Sequence, residues 1–247
     1  MKILLVEDDA DLLDVTAYSL RRERFDVVEA SDGFEALRLW KTERPDVVIL
    51  DIGLPRHDGF WVLQRIREQA TTPVVMLSGR TGEKDLVRAY GLGADDYVVK
   101  PFIAKQLALR IRAIARRARA EAPTDTPQAI PVGGPRIEPE AREVVWNGEY
   151  IRLTPTEFRL FHILAMNLDH VVSTSRLLNY VWADGDGDQR SLRAHMSHLR
   201  WKLKLETRTG ATIAVQPGVG YRLCSAPDAA KMLGLSGTVA KVRGPAP

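Results

Sequence analysis

Short apolar runs without alternation constrain this chain more than any other feature. Ile3-Leu4-Leu5-Val6, Val47-Val48-Ile49-Leu50 and Val74-Val75-Met76-Leu77 are apolar at every position, and Tyr97-Val98-Val99 is a shorter run. A strand with one wet face alternates with period two, so runs this uniform need cover on both faces. Between them, residues 12–22, 33–42, 60–69 and 84–92 have helical spacing, and a further helical stretch, 105–119, follows the last run. Repeated strand–helix order predicts an α/β doubly wound parallel domain over residues 1–119.

The composition then changes. Residues 120–135 (EAPTDTPQAIPVGGP and its preceding alanine) read as a flexible linker. Beyond it, residues 136–137, 143–146 and 150–153 suit short strands, with Asn147-Gly148 as a hairpin turn. Thr154-Pro155-Thr156-Glu157 has the form of a capping box with proline at the first helical position. Residues 158–166, 174–182 and 189–204 follow as helices, and residues 212–215 and 220–223 flank a Pro217-Gly218 turn. The expected second domain, 136–224, is therefore α+β, and the Ala/Gly/Pro-rich stretch 225–247 is expected to have little fixed structure.

Charge is unevenly placed. Acids and bases balance from Met1 to Arg117, so the net charge of +3 comes from the second half. Between Gln189 and Leu205 stand Arg190, Arg193, Arg200, Lys202 and Lys204 with no acid, a stripe suited to a polyanion partner. No apolar run reaches the roughly 18 residues of a membrane span. The single cysteine, Cys224, cannot form an internal disulfide, which fits a reducing, cytoplasmic setting.

In an open parallel sheet, function gathers at the carboxyl ends of the strands. Here those ends carry Glu7-Asp8-Asp9, Asp51, Ser78 and Lys100. Carboxylates packed together repel unless a cation joins them, and oxygen-only ligands favour Mg²⁺. Ser78 can donate a hydrogen bond to a phosphoryl oxygen, and Lys100 can neutralise its charge. Asp51 is left as a nucleophile that forms an aspartyl phosphate.

These motifs, LLVEDD (4–9), ILDIGLPRHDG (49–59), VVMLSGR (74–80) and GADDYVVKPF (93–102), resemble the receiver domain of two-component response regulators in order and spacing. The resemblance covers residues 1–117 and implies a five-stranded parallel sheet in which Asp51 accepts a phosphoryl group from a sensor histidine kinase. It implies that Glu7, Asp8, Asp51 and the backbone carbonyl of Gly53 hold Mg²⁺. Ser78 and Lys100 would contact the phosphoryl group, Tyr97 would be the aromatic switch, and Lys100-Pro101 would be a cis peptide. In one subfamily the phosphorylated receivers pair through a salt-bridged face, to which Asp95, Asp96, Arg110 and Arg117 correspond. Leu86 and Gln106 stand where that subfamily has a basic and an acidic partner, so one bridge of the expected homodimer is missing.

The second half resembles the winged-helix output domain of the OmpR/PhoB subfamily through LTPTEFRL (153–160), SRLLNYVW (175–182), RSLRAHMSHLRWKL (190–203) and GVGYRL (218–223). This places the basic stripe on a major-groove helix. Leu192, Met196, Leu199 and Leu203 mark its inner side, while Arg190, Arg193, Ser197, Arg200 and Lys204 are candidate DNA contacts, joined by Arg222 in the wing. Arg193 and His198 depart from the subfamily's usual acid and arginine, and Pro217 replaces a common wing arginine. The resemblance implies promoter direct repeats and RNA polymerase as partners.

Two smaller patterns have ordinary explanations. His195 and His198 lack further ligands at hand, and Asp184-Gly-Asp-Gly-Asp188 lacks the later positions of a calcium loop. No nucleophile–base pair follows residue 135, so the chain is expected not to be an enzyme acting on outside substrates. The competing reading is a phosphotransfer or interaction module whose second half binds protein, and salt-sensitive DNA binding separates the two.

Overall fold

The computed structural model describes residues 1–79, 83–119, 136–138, 141–146, 149–182, 187–205 and 211–225. The expected linker, the Asn147-Gly148 turn, most of the aspartate-glycine loop and the tail lie outside the described residues.

The first half is a parallel sheet of β1 (Lys2–Val6), β2 (Asp26–Ala30), β3 (Val47–Asp51), β4 (Val74–Ser78) and β5 (Asp96–Val99), in the order β2-β1-β3-β4-β5. Five helices connect or follow them: α1 (Ala10–Arg22), α2 (Gly33–Glu43), α3 (Gly59–Arg67), α4 (Glu83–Gly91) and α5 (Ala104–Arg119). The uniform apolar runs have their reason in the two cores. Ile3, Leu5, Val47, Ile49, Val75 and Leu77 pack with Leu13 and Leu20 of α1 and Leu107 and Ile111 of α5. Their alternate neighbours Leu4, Val6, Val48, Leu50, Val74 and Met76 pack with Trp40, Phe60, Leu63 and Tyr90 of α2–α4. Successive side chains point to opposite faces, so both faces must be apolar to bury both.

Asp9, Asp32 and Asp58 cap α1, α2 and α3 by accepting backbone N–H bonds. Asp9 therefore has a local structural duty that sets it apart from Glu7 and Asp8. A methyl group on Gly59, the first residue of α3, would lie 2.2 Å from the Asp51 carbonyl oxygen. Only glycine lets α3 begin that close to the end of β3.

The second half opens with the antiparallel sheet β6 (Arg136–Glu138), β7 (Glu143–Trp146) and β8 (Glu149–Arg152). Helices α6 (Pro155–Ala165), α7 (Thr174–Val181) and α8 (Gln189–Lys202) follow, with β9 (Val172–Ser173) just before α7. A closing hairpin of β10 (Ala211–Gln216) and β11 (Gly220–Ser225) pairs with β9 in the order β10-β11-β9. The Thr154–Glu157 capping box forms in both directions, so α6 starts at Pro155, three residues ahead of the periodic run read from the sequence. Phe158, Phe161, Leu164, Leu177, Leu192, Met196, Leu199 and Leu223 form this domain's core. Gly218 takes a positive φ of 72° at the wing turn, a conformation that glycine adopts without steric cost.

Candidate functional site

The strand ends bring the expected acidic cluster together. Glu7 follows β1 and Asp51 ends β3; both are buried, while Asp8 is exposed. Carboxylate oxygens of Glu7, Asp8 and Asp51 all lie within 4.8 Å of one another, the one such cluster found among the described residues. The Lys100 ammonium bridges two of them, 2.6 Å from Glu7 Oε2 and 2.6 Å from Asp51 Oδ1. Burial pushes the Glu7 carboxyl up while Lys100 draws it down, and burial prevails. Burial lowers the Lys100 ammonium, but Asp51 and Glu7 outweigh it and the net shift is upward.

The backbone of Gly53 donates to Asp51 Oδ2 at 2.7 Å, and a Cβ there would stand 2.9 Å from that oxygen. Gly53 thus meets Asp51 through its N–H, whereas the resemblance assigns a role to its carbonyl. Ser78 is buried at the end of β4, and its carbonyl accepts from the Lys100 amide at 2.7 Å. Tyr97 is buried on β5, and the Lys100-Pro101 peptide is cis. An oxygen-only donor set beside a lysine ammonium fits a hard divalent ion.

The four residues read as a dimer face are engaged within the chain. Asp95 is buried, accepting from Arg67 Nη2 at 2.9 Å, from the Val74 amide at 3.0 Å and from Thr156 Oγ1 at 3.3 Å. Asp96 pairs with Arg110 at 2.9 Å and accepts from the Tyr97 amide at 2.8 Å. Burial raises both carboxyls, against the pull of their arginines. Arg117 is buried and donates to the carbonyl of Val181 at 3.2 Å. Thr156 and Val181 belong to the second domain, so Asp95 and Arg117 are held by the chain's own output half, while Asp96 and Arg110 hold each other within the receiver.

The principal occupant is α8. Its Ser191 Oγ lies 2.8 Å from the Tyr90 hydroxyl, and Ala194 joins the receiver core that contains Tyr90. The His195 ring lies between Tyr90, at 4.7 Å, and Trp182, at 5.7 Å, fully buried and with no hydrogen-bond partner on either nitrogen among the described residues. Burial lowers its pKa to about 3, so the ring is neutral at pH 7.

Of the expected DNA contacts, Arg190, Arg193, Ser197 and Lys204 are exposed. Arg200 and Arg222 are half-buried. Arg200 is already engaged: its Nε donates to the Ile213 carbonyl at 2.8 Å, and its guanidinium lies over the Tyr221 ring. Arg200 thus links α8 to the wing hairpin as well as offering charge at its surface. His198 is no metal partner of His195; its Nδ1 is 2.6 Å from Glu157 Oε1.

Sequence reasoning identified Glu157 only as a cap. Its carboxylate is fully buried and also receives Lys202 Nζ at 2.7 Å. Burial alone would raise Glu157, yet Lys202 and His198 hold it well below the usual carboxylate range. The sequence gives no separate mark to Tyr90, Thr156 or Ser191 either. Nothing local marks them, because each acts on a residue of the other domain.

Residues 3–112 match the response regulator receiver domain, and residues 148–223 match the C-terminal domain of transcriptional regulatory proteins. The chain is 37% identical over 230 residues to the alkaline phosphatase synthesis transcriptional regulatory protein PhoP of Bacillus subtilis, covering 90% of this chain and 96% of that one. Among solved structures, a cysteine mutant of RitR shares the fold, with a TM-score of 0.73 at 23% identity over 90% of this chain and 98% of that one. DrrB, an OmpR/PhoB homologue from Thermotoga maritima, is 26% identical with a TM-score of 0.48, covering 91% of this chain and 99% of that one. With the acidic sheet edge in one half and the basic helix in the other, the chain belongs to the two-component response regulators of the OmpR/PhoB type, in which phosphorylation governs a DNA-binding transcriptional regulator.

Proposed function

We propose that the unphosphorylated chain rests in a closed form in which the receiver holds its own DNA-reading helix, and that phosphorylation of Asp51 releases it. The observation that carries this reading is the docking of α8 on α4 through Ser191 and His195, with Ala194 in the receiver core. Ser191, Ala194, His195 and His198 occupy one flank of α8, between its core side and its DNA side. A receiver packed on that flank leaves no room for the walls of a major groove about 12 Å wide.

Glu7, Asp8 and Asp51 would hold Mg²⁺, which supplies charge neutralisation for the incoming phosphoryl oxygens. Lys100 is the switchable cation. It now bridges Glu7 and Asp51, and a phosphoryl group on Asp51 would draw both it and Ser78 toward the new oxygens. Lys100 and Ser78 flank the ends of β5 and β4, so this movement reaches Tyr97 and the α8 contact. A sensor histidine kinase is the phosphoryl source, and promoter DNA and RNA polymerase are the output partners. Asp95, Asp96, Arg110 and Arg117 then become available for a second receiver, so dimerisation and closure compete for one surface.

The test is fluorescence anisotropy on a labelled duplex of mixed sequence, with and without acetyl phosphate and Mg²⁺, alongside sedimentation. Phosphorylation should tighten binding at least tenfold and produce dimers, and Asp51→Asn should do neither. Equal affinity in both states, with no change in association, would refute closure as the control.

A further inference from the structure

The most exposed large apolar side chain among the described residues is Trp201, at 74%. It stands on the basic helix, where a solvated lysine or glutamate would cost nothing. At about 100° per residue, Arg190, Ser197 and Trp201 fall within roughly 40° of one another around α8. The indole therefore shares the outward side with two candidate DNA contacts, past the flank that the receiver covers.

Trp201 is also held in place. Its ring stacks on His198 with centroids 5.5 Å apart and an 18° tilt. His198 is anchored at 2.6 Å by Glu157, which is buried at the start of α6. The chain Glu157–His198–Trp201 runs from the domain core to the surface and fixes one ring in an otherwise polar face. A fixed ring loses little conformational freedom on binding, which is the advantage of preorganisation.

Resting on the DNA-reading function proposed above, we infer that Trp201 is a specificity-determining residue that packs its indole against apolar surface of the duplex. DNA offers that surface as the thymine C5-methyl group in the major groove and as deoxyribose along the backbone. The stretch of the outward side formed by Arg190, Ser197 and Trp201 carries no asparagine or glutamine for adenine, so the indole adds an A·T-reading contact there. His198 is a positioning residue in this scheme, acting through the ring it supports.

The experiment begins with selection of preferred duplexes from a random pool by the phosphorylated full-length chain. Each thymine of the selected site is then replaced by deoxyuridine, which removes only the methyl group, and affinities are compared for wild type, Trp201→Ala and Trp201→Phe. Burial of one methyl group is equivalent to about a fourfold change in affinity. A fourfold loss at one thymine in the wild type, absent in Trp201→Ala and retained in part by Trp201→Phe, identifies the methyl group as the contact. Uniform weakening of Trp201→Ala with no deoxyuridine effect places the indole on deoxyribose, which carries no sequence information, and overturns the specificity role. If Trp201→Ala selects the same sequence with unchanged affinity, the inference is wrong. A wild type that selects no sequence and binds without salt dependence overturns the DNA-reading function itself. The exposed position means that the variant should keep the wild-type melting temperature, so loss of fold does not confuse the result.

Discussion

Glu157 ties three parts of the output domain together. One carboxylate caps its own helix, takes His198 on one oxygen, and shares the other between Lys202 and the Thr154 amide. Breaking a buried charge cluster from one side is costly, so Glu157→Gln should lower unfolding free energy by about 3 kcal/mol in urea titrations. Because the folded carboxyl is held below its ordinary value, its contribution is present above about pH 4.5 and lost as pH falls. The substitution should flatten the acid limb of the stability curve.

His195 acts in the same direction for a different reason. Its buried ring stays neutral down to about pH 3, whereas a ring freed by opening protonates near the ordinary histidine value. Acidification below about pH 6.5 therefore favours opening. The groups that bear on His195 are Glu157, which favours its charge, and His198, Arg117 and Arg67, which oppose it, with Tyr90 and Trp182 packed alongside. Hydrogen exchange at α8 of the unphosphorylated chain should be faster at pH 5.5 than at pH 7.5, after correction for intrinsic rates.

At the scale of elements, the contact of α4 with α8 turns on few polar atoms. Tyr90→Phe removes the hydroxyl bonded to Ser191 while keeping the ring on His195. A typical hydrogen bond contributes about 1 kcal/mol, so the unphosphorylated variant should bind duplex DNA about fivefold more tightly by anisotropy. A different constraint joins β3 to α3. Gly59→Ala places a methyl group against the Asp51 carbonyl, and the receiver should lose about 1–3 kcal/mol in denaturant melts.

These elements also show where sequence reading succeeds. The central strands β1, β3 and β4 are legible because burial on both faces writes itself as continuous apolar residues. The edge strand β2 has a mixed burial pattern, begins with an exposed aspartate and has no comparable run. The two-residue β9 is too short to have a pattern at all. The acidic cluster is legible because each member ends a strand. The sequence marks Asp95, Asp96, Arg110 and Arg117 by position, but not the partners they have within the chain. Asp95 meets Thr156, and Tyr90 meets Ser191, across separations of 61 and 101 residues. No local spacing encodes such pairings.

For the whole molecule, the two halves share buried surface rather than merely a tether. Ala194 sits in the receiver's core, and Arg117 reaches the Val181 carbonyl from the opposite helix. Domains coupled this way should melt together. Calorimetry of the unphosphorylated chain should give one endotherm, and the Tyr90→Phe variant in acetyl phosphate and Mg²⁺ should resolve into two.

That same docking has a consequence for the flow of information. Whatever grips α8 from outside withdraws it from α4, and linkage requires any ligand favoured by the open form to favour the other ligands of that form equally. A promoter is then more than the receiver of a message. Each vacant operator pulls on the phosphorylation equilibrium at Asp51, so the number of sites on the chromosome feeds back on how readily the signal is written.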